Sequence, residues 1–172
     1  EPKTEQSTVF ALDVGSGDLL WQMTANTPVD PEDEKASSRV LPLKPQLSYS
    51  EASDILILTQ SWSTASAYKG ADGDSLWAKD IPCRDKPSNY SGPEPPILLP
   101  EVLITHAGEM YVPRDGSPMA ERLWTGMNTN YEAGGARGYG RALANEHVVT
   151  LRDGHAAYFD LATGRETFFR GI

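Results

Sequence analysis

The stretch VFALDVGSGDLLW, Val9 to Trp21, occurs in this chain more than once, and a chain that repeats a unit must fold by repeating a structure. Aligning Gly17 without gaps on Gly73 in ASAYKGADGDSLW and on Gly164 in AAYFDLATGRETF places Trp21, Trp77 and Phe168 four residues after the glycine. Asp18, Asp74 and Arg165 follow it directly, and Asp13 and Asp160 stand four before it, where the second copy has Lys69. A looser copy, EMYVPRDGSPMAERLW, puts Gly116 in the glycine's place but delays its tryptophan, Trp124, to the eighth residue, so that hairpin is expected to be longer or bulged.

Each copy alternates apolar and polar residues, breaks at a glycine and resumes, which reads as two strands joined by a tight hairpin. The glycine supplies the positive φ that closes the turn, the Asp, Ser or Thr beside it bonds turn amides, and the aromatic packs between neighbouring sheets. Two further strands are expected upstream of each later hairpin: Leu47–Ser50 and Asp54–Thr59, then Pro96–Leu99 and Val102–Thr105, then Gly140–Ala144 and His147–Leu151. The second of each pair is the most apolar, as a strand buried on both faces should be. No segment has a sustained helical period. The glycines follow one another at intervals of 56, 43 and 48 residues, which are propeller-blade lengths. The predicted fold class is therefore all-β: β-propeller blades of four antiparallel strands, about 3.5 to 4 of them.

Residues 1–172 are expected to form a single propeller segment with blade hairpins near 8–24, 63–80, 109–124 and 154–170. The loops are placed at 25–38, acidic and Pro-rich, at 82–96, with five prolines, and at 125–138, with Asn128, Asn130, Tyr131 and several glycines, on the rims where a functional surface would lie. A net charge of −9 repels phosphate backbones and anionic membranes, so nucleic acid is an unfavourable partner. No run approaches the roughly 18 apolar residues of a membrane span. The start, EPKTEQS, is expected to be a trimmed N-terminus. Cys83 is the single cysteine and permits no internal disulfide and no CxxC metal pair.

With the repeat on the page, VFALDVGSGDLLW resembles the repeat of PQQ-like β-propellers, Ala-x-Asp-x-x-(Thr/Ser)-Gly-(Lys/Asp)-x-x-Trp, through Ala11, Asp13, Ser16, Gly17, Asp18 and Trp21. Tyr158, Asp160, Thr163, Gly164 and Arg165 fit the same frame, and the stretch from Tyr139 to Leu161 is similar to PQQ-like repeat domains of large bacterial, planctomycete-type proteins. The resemblance implies a propeller of about eight blades, of which this chain holds roughly half. An open arc leaves blade faces and strand edges unpaired. The expected partners are therefore the remaining blades or another protein, with self-association as a further way of closing the ring.

The chemistry is sparse. Asp13, Asp72, Asp115, Asp153 and Asp160 all lie beside turn glycines or in the repeat frame, which assigns them to turn capping, and D-x-D-x-D-G is absent. His106, His147 and His155 show no HxH or HExxH spacing, and no G-x-S-x-G elbow accompanies Ser7-Thr8, Ser37-Ser38 or Ser63-Thr64. Tyr131, Arg137, Tyr139 and Arg141 beside glycines are the residue types that bind an anionic or planar ligand such as a quinone, and equally those that anchor a loop. The quinone enzymes that the repeat resembles use a tryptophan platform, a calcium site, a catalytic Asp and in many members a vicinal disulfide. One cysteine excludes that disulfide, and no other catalytic position is matched. The leading expectation is a non-catalytic propeller segment without cofactor, a scaffold or protein-interaction module of a periplasmic or extracellular bacterial protein. The alternatives are part of a PQQ- and calcium-dependent dehydrogenase, or a carbohydrate- or peptide-binding rim.

Overall fold

Five consecutive residues, Ile55 to Thr59, are buried side by side, which a strand achieves only with another layer on each of its faces. The computed structural model describes residues 4–28, 46–59, 64–81, 96–105, 109–122, 143–153 and 155–169. The described residues hold fourteen strands and no helix: β1 (Thr4–Leu12), β2 (Leu19–Pro28), β3 (Gln46–Ser50), β4 (Ile55–Thr59), β5 (Thr64–Lys69), β6 (Ser75–Asp80), β7 (Ile97–Leu98), β8 (Leu103–Ile104), β9 (Glu109–Tyr111), β10 (Pro118–Arg122), β11 (Leu143–Ala144), β12 (Val148–Asp153), β13 (His155–Asp160) and β14 (Arg165–Phe169). They form one two-stranded sheet, β1-β2, and three four-stranded antiparallel meanders, β3 to β6, β7 to β10 and β11 to β14. The four-strand unit expected from the repeat is therefore present three times. Among the described residues the opening hairpin forms a two-stranded sheet.

The sheets pack on one another through their second strands. Ile55 and Ile57 of β4 join Trp77, Ile81 and Leu103, whereas the alternate residues Leu56 and Leu58 join Val9 and Ala25 of the first sheet. On β8 the same division puts Leu103 in one cluster and Ile104 in the next, with Val149 and Phe159. Each such side chain contributes about 1.5–3 kcal/mol by leaving water. Burial on both faces thus comes from neighbours on both sides, and the chain forms a row of stacked sheets.

One local departure from the sequence reading has a physical cause. Positions 25–28 fall in the predicted loop 25–38, yet β2 continues through them, with Ala25 opposite Ser7 and Pro28 opposite Thr4. Ala25 is buried against β4's Leu56 and Leu58, so packing extends the ladder beyond the apolar pattern. In the third sheet Pro118 pairs with Tyr111 but Arg122 with Glu109, so two extra residues are accommodated between them. That is the bulged hairpin anticipated from the late tryptophan of this copy.

Candidate interaction surface

The hairpin turns are built alike. The N–H of Gly17, Gly73, Gly116 and Gly164 donates to the carbonyl four residues earlier, at 2.8, 3.0, 2.8 and 2.8 Å, and their φ values are 78°, 75°, 65° and 65°. These are left-handed conformations that favour glycine. The residue before each glycine caps the amide after it: Ser16 accepts from Asp18, Asp72 from Asp74, Asp115 from Ser117 and Thr163 from Arg165. Asp13 Oδ1 accepts from the amides of Gly15 and Ser16, and Asp160 Oδ1 from those of Ala162 and Thr163. Where the second copy departs from the pattern, Lys69 reaches Asp74 at 3.5 Å and Asp72 at 3.8 Å instead, exposed pairs of small energetic weight.

Amide donors hold the carboxyls of Asp13 and Asp160 below the ordinary carboxylate range, led by the Ser16 and Thr163 backbone N–H groups, and hydrogen bonds from the Ser117 hydroxyl and amide do the same for Asp115 in the third sheet's turn. A depressed folded-state pKa means that the capping contribution is present above the unfolded carboxylate pKa and is lost as pH falls through the folded value. Stability is therefore expected to decline in acid below the ordinary carboxylate range. In Asp13→Asn and Asp160→Asn, whose amide oxygens still accept but do not titrate, urea midpoints followed across that window should vary less with pH.

The same turns receive a neighbour's tryptophan. Trp21 donates its Nε1–H to the carbonyl of Gly70, 2.7 Å away in the next sheet, and lies so near Gly73 that a Cβ there would stand 2.9 Å from Trp21 Cδ2. Trp77 donates to the carbonyl of Pro113 at 2.8 Å, and a Cβ on Gly116 would stand 3.0 Å from its Cδ2. Acceptor and contact are three residues before the glycine and the glycine itself in both cases. Trp21 lies opposite Ala11 and Trp77 opposite Ala67, where the small side chain leaves room, and in both hairpins the register shifts immediately beyond the pair. Phe168 lies opposite Ala157 in a hairpin whose register runs on without a shift.

Sequence reading identified the glycines and aromatics but missed their acceptors and Asp54. A backbone carbonyl carries no residue identity, and Gly70 and Pro113 share none. Asp54, at φ 52°, ties the β3–β4 turn to the β5–β6 turn: it accepts from Tyr49 Oη at 3.1 Å and from the Ala71 amide at 3.2 Å, while its own carbonyl accepts from Gly70. This fixes the peptide that Trp21 meets. The signal for it was weak, a single Asp opening the strand candidate Asp54–Thr59.

Of the sequence-predicted site residues, Tyr131, Arg137, Tyr139 and Arg141 lie outside the described residues, as do Cys83 and His106. His147 is exposed beside Glu146, 3.3 Å away. Among the described residues no three His, Cys, Asp or Glu side chains gather as a metal cluster. What the described surface does present is apolar: Phe10, Leu12, Val14, Leu19 and Leu20 of the first hairpin are all about half exposed or more.

No known protein family matches the chain, and no curated protein does. Among solved structures, BamB from Moraxella catarrhalis, a β-propeller, superposes with a TM-score of 0.52 at 16% identity over 94% of this chain and 42% of its own. HIRA(644-1017) gives 0.48 at 12% identity over 98% of this chain and 53% of that one. The chain thus spans less than half the length of BamB. The stacked four-stranded meanders and this likeness show an all-β fold, a segment of a β-propeller.

Proposed function

We propose that this chain is a non-catalytic propeller segment that acts as a scaffold or protein-interaction module, residues 1–172 forming one segment of a larger ring in a periplasmic or extracellular bacterial protein. The observation that carries this reading is the uncovered face of the first hairpin, where Phe10, Leu12, Val14 and Leu20 stand exposed on a sheet of two strands. Apolar patches of this kind mark protein contacts. The carboxylates also support it, because Asp13, Asp72, Asp115 and Asp160 are engaged in turn capping.

The competing reading is part of a PQQ- and calcium-dependent dehydrogenase, favoured by the repeat motif and by Tyr131, Arg137 and Arg141 as quinone-binding residues. Titration of the chain with PQQ in the presence of calcium, followed by quinone absorbance and tryptophan fluorescence, separates the two. No saturable change is expected. Stoichiometric, saturable binding would reject the scaffold reading.

A further inference from the structure

Among the described residues the last strand of every sheet is an edge strand: β6, β10 and β14 pair on one side only, and so does β2. Such an edge presents unpaired N–H and C=O groups, a template for another chain, and proteins guard it with short strands, charged side chains, proline or bulges. Three of these four edges are guarded. β6 has six residues and carries Lys79 and Asp80, β10 has five with Pro118, Glu121 and Arg122, and β14 has five with Arg165 and Glu166. β2 runs for ten residues, LLWQMTANTP, without an ionisable side chain. Its ladder is also the longest unbroken one at such an edge. Trp21 to Pro28 pair one to one with Ala11 to Thr4, whereas the β9–β10 ladder is interrupted and the β5–β6 ladder shifts after Ala67. Proline enters only at the last position, so residues 19–27 keep every backbone donor. Alternate side chains hold the strand in place, Trp21, Met23 and Ala25 packing with Leu56 and Leu58.

We infer that the free edge of β2 is a strand-addition site for an extended segment of a partner protein, uncharged where it covers residues 19–27 and carrying Lys or Arg at both ends. Main-chain hydrogen bonds supply the affinity in this mode of recognition, and antiparallel pairing is its more stable geometry. Charge selects the partner. Asp13 and Asp18 stand at the hairpin end of β2, and in the sequence Asp30, Glu32, Asp33 and Glu34 follow Pro28, within a chain of net charge −9. The uncharged stretch is therefore bracketed by acid, which a strand with basic ends complements. A second copy of β2 fits poorly, because antiparallel pairing sets the acidic end of each copy against that of the other. The partner's side chains that fall beside Leu20, Gln22 and Thr24 lie on the exposed face of the sheet.

This site rests on the interaction-module reading and is tested separately from it. The probe is the peptide acetyl-Lys-Thr-Val-Thr-Val-Thr-Val-Thr-Lys-amide with its valine amides N-methylated, which blocks one edge and stops the peptide pairing with itself. Added to the full chain, it is expected to bind saturably through its other edge, with backbone amide shifts at residues 19–27. N-methylation of the threonine amides as well blocks both edges at unchanged charge and should abolish binding. Glutamate in place of both lysines should weaken it at least about tenfold, and Thr24→Lys, which supplies the charge that β2 lacks, about tenfold. Four results overturn the inference: no saturable binding at peptide up to about 1 mM, equal binding of the doubly blocked peptide, shifts at β6, β10 or β14 instead, or a dimer of the chain in sedimentation that Thr24→Lys dissociates. Any of these removes strand addition at β2 and leaves the interaction-module reading standing, since that reading falls on saturable PQQ binding.

Discussion

Trp77→Ala is expected to cost about 3–5 kcal/mol of folding stability, the usual loss for truncating a buried tryptophan. Trp77 is 8% exposed and packs in the cluster of Ile55, Ile57, Ala67 and Leu103, so the deletion opens a cavity between two sheets. It also removes the N–H that the Pro113 carbonyl accepts, in a residue that is itself buried. Single domains typically have about 5–15 kcal/mol in total, so this substitution removes a large share. Urea unfolding followed by far-ultraviolet circular dichroism checks it without relying on the deleted fluorophore. Trp77→Phe keeps most of the packing but leaves the carbonyl without its donor, and should cost about 1–3 kcal/mol. A midpoint for Trp77→Ala within about 1 kcal/mol of the parent would mean that the two sheets do not depend on this contact.

The second large effect compares one substitution at three equivalent places. Alanine at any of the turn glycines meets the left-handed backbone, a cost of about 1–2 kcal/mol. At Gly17 that is the whole expectation, since no described residue lies near the added methyl. At Gly73 and Gly116 the methyl would press on the indole of Trp21 or Trp77, with Cδ2 at 2.9 and 3.0 Å. An indole fixed by its own hydrogen bond gives way poorly, and overpacking typically adds about 1–3 kcal/mol. Gly73→Ala and Gly116→Ala should therefore destabilise by about 2–5 kcal/mol, clearly more than Gly17→Ala. Equal losses at all three would show that glycine is there for its φ alone, and that the tryptophan contact is loose.

How much was legible in the sequence depended on whether a feature has a side-chain identity. Gly17, Gly73 and Gly164, with Trp21 and Trp77 at a constant offset, gave the hairpins, and the apolar run at Ile55–Leu58 gave the strand buried on both faces. The capping roles of Asp13 and Asp160 followed from their place in the frame. The acceptors for the indoles did not, because Gly70 and Pro113 contribute only a carbonyl. Strand length past Thr24 escaped as well, since it depends on Ala25 finding Leu56 and Leu58 across sheets far apart in sequence. The rim residues Tyr131, Arg137 and Arg141 lie outside the described residues, and their assignment to a ligand stays with the sequence.

Counting from the turn glycine has one more consequence. The aromatic and indole contacts between neighbouring hairpins are addressed by short offsets within a hairpin: minus five for the aromatic, minus three for the acceptor, plus four for the indole. Nothing in that addressing system refers to the distance between hairpins, which varies from 43 to 56 residues along this chain. The ruler restarts at each glycine. The distance from one hairpin to the next can therefore change without altering any of these offsets, and the intervals of 56, 43 and 48 residues are the record of that freedom.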